Sequence, residues 1–282
     1  MKHASRVALL GGVGSHSEDA VSALLGENAE LIARADFPSV FRAVTEGAAD
    51  CAVVPVENSR AGVVGEVLDL WGESGIRGQA EWVLPVHHAL LAPRGAVLAG
   101  ITEVHSHAQA LAQCAKFLSK QRVRLVPASS TIAAAREIHA RGDVHVAAVA
   151  RKEAAVLLGL SVLAENIETD ADNRTRFVLL GATPSKLPQG PLRTTLRLEL
   201  EPVPGALHRA LGVFAERRLD LARVECRPSG EGAWRYVFFI DIWGDVHTPQ
   251  GEALVTLLSD QCRNVRWLGS YPVGGAGALP AA

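Results

Sequence analysis

Between Ala182 and Pro191 the chain places Pro184, Pro188, Gly190 and Pro191 within ten residues. Proline fixes φ and removes a backbone donor, so neither a helix nor a central strand continues through such a run. The stretch divides the 282 residues into two regions, each expected to bury its own core. Their patterns differ. Upstream, short apolar runs alternate with segments of helical spacing: Val7–Leu10 precedes a segment with Ala20, Val21, Leu24 and Leu25, and Glu30–Ala33 precedes Phe37–Val44, which has Pro38 in its first turn. Cys51–Val56 precedes Val63–Trp71 in the same way. That alternation predicts α/β architecture with a largely parallel sheet. Downstream, strand Thr194–Leu200, helix Ala206–Arg217, strands Leu221–Arg227 and Trp234–Trp243, helix Ala253–Asp260 and strand Asn264–Tyr271 follow the order βαββαβ. That order is ferredoxin-like. The tail Gly274–Ala282 is small and Pro/Gly/Ala-rich, and is expected to fray.

The middle of the upstream region is β-favouring from Trp82 to Ala92, where the chain is expected to enter a second lobe. Helices are predicted over Ala108–Leu118, Thr131–His139 and Arg151–Leu158, the last ending at Gly159. Strands are predicted over Thr102–His105, Arg122–Val126, Val144–Val149 and Thr175–Leu180. Aromatic residues are only 5%, so the cores must rely on Ala, Val and Leu.

Charge and composition exclude several functions. Lys plus Arg is 28 against 30 for Asp plus Glu, a formal net charge of −2, which is not the footprint of a nucleic-acid binder. With 48% hydrophobic residues the chain is not of the disordered class. No apolar run approaches the ~18 residues of a membrane helix, and Val7–Leu10 is too short for the apolar part of a secretory signal, about 7–15 residues. A soluble, cytoplasmic protein with no membrane partner is expected. Cys51, Cys114, Cys226 and Cys262 form no close pair, so neither a zinc site nor a redox motif is signalled, and free thiols fit a reducing compartment.

Four polar clusters carry the candidate chemistry. Gly12-Val13-Gly14-Ser15-His16-Ser17 follows a strand and opens a helix, with Ser17 as candidate N-cap. A dinucleotide fingerprint would need a third glycine where Ser17 stands, with Asp36 as ribose acid; an anion- or carboxylate-binding turn suits the run better. Pro55-Val56-Glu57-Asn58-Ser59-Arg60-Ala61-Gly62 puts a carboxylate, an amide, a hydroxyl and a guanidinium at the end of a buried strand, where ligand crevices of α/β sheets lie. The same residues could form an ordinary helix cap at Asn58 or Ser59. In Ser106–Cys114, Gln109 and Gln113 share a helix face, and Ser106 either caps that helix or presents its hydroxyl. No acid follows His105 and His107 until Glu137, so no metal is expected, and His87-His88 reads as polar surface or core. In Asn173-Arg174-Thr175-Arg176-Phe177, an arginine fork could hold a carboxylate, or the run could be a solvated turn entering a strand. No His–Asp partner can be assigned to a Ser or Thr nucleophile.

Taken in order, the clusters resemble one family. P-V-E-N-S-R-A-G at 55–62 is similar to its P-I-E-N-S-x-x-G, and S-H-A-Q-A-L-A-Q-C at 106–114 to its S-H-P-Q-A-L-x-Q-C. Ser130-Thr131 with Ala133–Ala135, Ala147–Ala150 with Gly159, and N-x-T-R-F at 173–177 continue the match. Gly205-Ala206-Leu207 and Glu225-Cys226-Arg227-Pro228 are similar to the G-A-L and E-S-R-P motifs of its ACT domain. These are the marks of the prephenate dehydratases, over about residues 5–275. His16 stands in place of an aromatic, Ala108 in place of Pro, Cys226 in place of Ser, and Asp220-Leu221-Ala222 in place of N-L-T.

The resemblance implies a two-lobed, periplasmic-binding-protein-like catalytic region over 1–182, with lobes 1–85 plus 166–182 and 86–165, and a ferredoxin-like ACT domain over 192–275. Because it begins at residue 5, no fused chorismate mutase is expected upstream. The implied reaction is the decarboxylating dehydration of prephenate to phenylpyruvate, without metal or cofactor, in phenylalanine biosynthesis. Thr175 would serve the leaving hydroxyl and Arg176 would fork a carboxylate. Asn58, Ser106 and Gln113 would orient the substrate, and Glu57 would be structural or share a proton. Ser15, Ser59, Thr131 and Phe177 would line the substrate. Phenylalanine would bind near Gly205, Ala206, Leu207, Glu225, Cys226, Arg227 and Pro228 in a homodimer or homotetramer. The rivals are the same scaffold acting on arogenate or decarboxylating prephenate without aromatising it, a non-catalytic small-molecule sensor, and a nicotinamide oxidoreductase.

Overall fold

The computed structural model describes residues 5–182, 189–230, 232, 234–246 and 248–275. Pro184 and Pro188, and the tail beyond Gly275, lie outside the described residues. The chain begins β1 (Arg6–Leu10), α1 (His16–Leu25), β2 (Glu30–Arg34), α2 (Phe37–Thr45), β3 (Cys51–Asn58), β4 (Gly62–Val63), α3 (Gly65–Ser74) and β5 (Gly78–Pro85). It crosses to β6 (Ala89–Ala92), β7 (Glu103–Ser106), α4 (Ala108–Gln113), α5 (Ala115–Leu118), β8 (Arg124–Pro127), α6 (Thr131–Arg141), β9 (Val146–Ala150), α7 (Glu153–Leu158) and β10 (Ser161–Ala164). It returns as β11 (Arg174–Gly181) and ends β12 (Leu192–Glu199), α8 (Ala206–Glu216), β13 (Leu221–Pro228), β14 (Tyr236–Trp243), α9 (Pro249–Gln261) and β15 (Asn264–Gly275).

Local chemistry sets these boundaries. Ser15, not Ser17, caps α1, accepting from the Glu18 amide at 3.3 Å. Asp36, the candidate ribose acid, is spent as the cap of α2, accepting from the Ser39 amide at 2.7 Å with Pro38 beside it in the first turn. Ser130 caps α6, and Gly142 closes it in the left-handed conformation. The segment after Asn58 opens no helix: it turns back through β4, and Asn58 Oδ1 accepts from the Arg60 and Ala61 amides. The four cysteines are free, and among the described residues no helix is long and apolar enough to cross a membrane.

The strands form two sheets. The smaller runs β10-β6-β9-β7-β8 and makes the second lobe. The larger runs β13-β14-β12-β15-β5-β11-β3-β1-β2, with β4 on β3. It is mixed rather than largely parallel, because β11 enters antiparallel between β3 and β5. The order β13-β14-β12-β15, with α8 and α9 on one face, is ferredoxin-like.

The downstream region buries a core of its own under α8 and α9, but a second cluster is shared between the two regions. β15 pairs with β5 at Val273, Gly274 and Gly275, joining both regions in one sheet. Val237, Phe239, Leu268 and Tyr271 share a cluster with Val67, Leu68 and Trp71 of α3. A four-stranded sheet has two faces, and its helices cover one. The other packs Val237, Phe239 and Tyr271 against α3 and carries buried charged groups, Arg197 and Asp241, beside them.

Candidate active site

β3 and β11 lie side by side with Thr175 opposite Asn58 and Arg176 opposite Glu57. Alternation along a strand sends neighbouring side chains to opposite faces. One face carries Asn58 and Thr175, the other Glu57 and Arg176, and the two faces have different chemistry.

On the first face Asn58 is the centre. Its Nδ2 lies 2.8 Å from Asn173 Oδ1, 3.0 Å from the Arg174 carbonyl and 2.9 Å from Thr175 Oγ1, and its two hydrogens are shared among these three acceptors. Gln113 reaches it from the second lobe, donating from Nε2 to Asn58 Oδ1 at 3.5 Å. Gln113 Oε1 lies 2.8 Å from His88 Nε2 in the crossing between lobes. Glu168, in the returning crossing, accepts from the His88 amide at 2.9 Å and contacts His87 Nδ1 at 2.8 Å. Ser59 accepts from the Arg174 amide at 3.0 Å and ties the two strand ends together. Asn173 Nδ2 is buried without a partner beside this knot.

Ser106 ends β7 fully buried, and its hydroxyl donates to the Val149 carbonyl at 2.6 Å. The cap of α4 is His107 rather than Ser106. Thr131 opens α6, whose next residue, Ile132, closes on the glycine turn of the first lobe. Gly14 has a φ of +89°, and a Cβ there would stand 2.6 Å from Ile132 Cδ1 and 3.0 Å from Leu157 Cδ2. The anion turn is already filled: the Gly14 amide donates to Glu18 Oε2 at 2.7 Å. The Ser15 carbonyl accepts from Arg151 of the second lobe at 2.9 Å, and Arg151 also pairs with Asp19 at 2.7 Å.

His16 lines a cavity of about 370 Å³ with Asp19, His88 and Arg151. Its ring meets that of His88 edge-on at 6.0 Å, and its Nε2 is buried without a partner. Burial, aided by His88 and Arg151, pushes its imidazole down to about 3. Burial also lowers His88, against the pull of Gln113. Asp19 is pushed up to about 6 by burial in spite of Arg151.

The other face corrects the reading of Arg176 as a substrate fork. Its guanidinium forks Glu81 at 3.0 and 2.9 Å, and binds Glu57 at 2.5 Å and Asp241 of β14 at 2.9 Å. Burial opposes its charge, but Glu81 and Asp241 raise it well above its ordinary value. Asp241 is held low by Arg223 and Arg176 although its burial would raise it. Glu57 therefore has an arginine partner away from Asn58. Phe177 is also displaced from its expected role: it packs with Leu9, Val53 and Leu179 in the core under α1.

The seven residues expected around phenylalanine do not share one pocket within the chain. Gly205 caps α8, and Ala206 and Leu207 line a cavity of about 270 Å³ with Val203, Tyr236 and Phe238. Arg227 instead forks Asp69 of α3 at 3.0 and 2.5 Å, and lies on the same side of β13 as Glu225. Cys226 and Pro228 are exposed on the opposite side.

Sequence reasoning missed His88, Glu168, Arg151, Glu81, Arg223 and Asp241, and also Arg193, whose guanidinium lies 3.3 Å from Glu81. Two left a signal. Glu81 and Asp241 are lone acids inside apolar strands, and a charge buried in a sheet must find a partner.

The family model described as Prephenate dehydratase matches residues 7–185, and that described as ACT domain matches 194–251. The chain is 39% identical to the bifunctional chorismate mutase/prephenate dehydratase of Stutzerimonas stutzeri over 269 residues, 95% of this chain and 73% of that protein. Among solved structures it is similar to the prephenate dehydratase of Arthrobacter aurescens in complex with L-Phe, with a TM-score of 0.85 and 32% identity, covering 98% of this chain and 92% of that one. It is also similar to GqqA, described as a novel type of quorum quenching acylase, with a TM-score of 0.84 and 31% identity, covering 95% and 97%. The site residues lie on a two-lobed, periplasmic-binding-protein-like region followed by an ACT domain, and the chain belongs to the prephenate dehydratase family.

Proposed function

We propose that this chain converts prephenate to phenylpyruvate, with loss of water and carbon dioxide. The observation that carries the reading is the 2.9 Å bond from Asn58 Nδ2 to Thr175 Oγ1. Thr175 accepts there, so its own hydrogen is left to donate, and no acceptor holds it among the described residues. In the reaction the ring carbon–hydroxyl bond breaks as the carbon–carboxylate bond releases its electron pair to the ring. The departing oxygen takes a proton. Making an aromatic ring drives the step, so the protein needs to assist the leaving group and hold the dianion. Thr175 donates to the hydroxyl, while Asn58 and Gln113 orient the site. Lys116 lines a cavity of about 460 Å³ with Gln113 and Asn173 and is the cation offered to a carboxylate; Arg60, on the same cavity, is paired with Asp170 at 2.5 Å.

An acylase would need a nucleophile with a base against it. Thr175 receives a hydrogen from an amide, and Ser106 gives its own to a carbonyl. Both arrangements favour the dehydratase reading.

The catalytic region is taken as 1–182 with lobes divided near 85 and 165, and the ACT domain as 192–275. Phenylalanine is the proposed effector, supported by the ACT match and by the relative solved with L-Phe. The edge strand β13 and the Ala206–Leu207 cavity fit an ACT-mediated homodimer or homotetramer; the cytoplasm is the proposed compartment. The test is prephenate turnover followed by phenylpyruvate absorbance, with and without phenylalanine. Phenylpyruvate formation slowed by phenylalanine supports both parts; no turnover at any substrate concentration overturns the catalytic part.

A further inference from the structure

The hydrogen bonds around Thr175 have a direction, and it can be deduced atom by atom. Asn58 Oδ1 faces the Arg60 and Ala61 amides at 3.1 and 2.9 Å, which can only donate. Its other amide atom is therefore nitrogen, which suits the Arg174 carbonyl, an atom that can only accept. The Gln113 atom facing Asn58 Oδ1 must then be nitrogen as well, which turns Gln113 Oε1 toward His88. An amide oxygen can only accept, so His88 Nε2 carries the hydrogen. Every link points one way: His88 to Gln113, Gln113 to Asn58, Asn58 to Thr175.

We propose that His88 is a positioning residue for the dehydration, the origin of a one-way donor chain through Gln113 and Asn58 that leaves Thr175 with its hydroxyl hydrogen aimed at the substrate. The proposal rests on the dehydratase reading for its activity readout. A chain of aligned donors polarises its members in turn, which makes the last hydrogen a better donor than that of an isolated alcohol. This answers the weakness of threonine as an acid. The chain also spans both lobes, because His88 lies in the crossing, Gln113 in the second lobe and Asn58 in the first. The 3.5 Å link between Gln113 and Asn58 is the one that joins the lobes. The remaining ring nitrogen, His88 Nδ1, is buried with no partner. A neutral ring with its hydrogen on Nε2 leaves a bare lone pair there, which costs less than a buried unpaired N–H carrying positive charge.

His88→Met keeps the volume and removes the donor; His88→Gln places an amide N–H at the reach of Nε2. Expected is a loss of about 10- to 100-fold in kcat for H88M with KM within about threefold, and recovery to within about fivefold of the parent for H88Q. Thermal unfolding of both variants checks that they fold. Equal kcat for H88M and H88Q, or a loss confined to KM, overturns the proposal. Independently, ¹⁵N imidazole spectra of the unliganded parent read the tautomer: hydrogen on His88 Nε2 supports the chain, and hydrogen on Nδ1 overturns it. Because that spectrum needs no turnover, a parent protein inert toward prephenate would sink the dehydratase reading while the tautomer still decided the direction of the chain.

Discussion

Asp241 of the ACT region accepts a 2.9 Å hydrogen bond from Arg176, the residue that follows Thr175 on the catalytic strand. The same carboxylate takes two 3.0 Å bonds from Arg223 and one of 2.8 Å from Thr195. Asp241→Asn would leave Arg176, Arg193 and Arg223 with too little negative charge in a buried place. Breaking such a cluster from one side costs about 3–5 kcal/mol. Urea unfolding should show that loss, and the two regions should lose protection together in hydrogen exchange, since they share a sheet and a core.

Thr175→Ala should lower kcat by about 10²- to 10⁴-fold with KM little changed, the usual cost of losing a positioned proton donor. Thr175→Ser keeps the hydroxyl but loses the stiff branched side chain, and should fall between alanine and the parent. Steady-state kinetics on prephenate decides this. Parent-like kcat in the alanine variant removes Thr175 from the chemistry.

Arg176→Gln separates two roles. An arginine that held substrate would mainly raise KM. One that neutralises Glu81, Glu57 and Asp241 should mainly destabilise the protein, by about 3–5 kcal/mol. Denaturant unfolding and KM measured on the same preparation should show a lowered midpoint, with any KM change the smaller effect.

His16 should make the protein acid-sensitive. Its imidazole falls from an ordinary 6.5 to about 3. Between those values the unfolded chain binds a proton that the fold refuses, so stability falls as pH drops through that window. Asp19, raised from 3.8 to about 6, acts the other way, and its contribution is lost as pH rises through about 6. His16→Phe removes the first effect and leaves the second. The Tm of H16F minus that of the parent should therefore grow by several degrees from about pH 7 to about pH 4 in calorimetry. A constant difference would contradict the buried neutral ring.

Gly14→Ala should weaken closure of the lobes. The added Cβ meets Ile132 of α6 and Leu157 of α7, and φ is +89°. Strain of about 1–3 kcal/mol is expected together with a raised KM for prephenate, measured by unfolding and by initial rates. An unchanged KM would show that the turn does not close on the substrate.

The element order was legible because periodicity and caps are local. Asp36 with Pro38 starts α2, Ser130 starts α6 and Gly159 ends α7 wherever the rest of the chain goes. Strand ends were less so. The apolar run Trp82–Ala92 is two strands in two sheets, because the crossing at Val86–His88 keeps apolar and polar residues that both find partners. β15 runs past its predicted end at Tyr271 to Gly275, into the tail expected to fray, because Val273–Gly275 pair with β5.

Asn58, Gln113 and Thr175 could be named from the sequence because the runs that carry them resemble the motifs of one family; taken alone, the same residues left a helix cap or a solvated turn open. What those groups do was decided only by the tertiary structure. Thr175 and Arg176 are neighbours in the chain, yet strand alternation puts one against Asn58 and the other against Asp241, some 65 residues further on. A linear sequence lists both as polar residues before an apolar strand. Only the pairing of β11 between β3 and β5, and the approach of Asp241 on β14, determines that one hydroxyl keeps a hydrogen to give while the neighbouring guanidinium spends four of its five N–H groups on three acids.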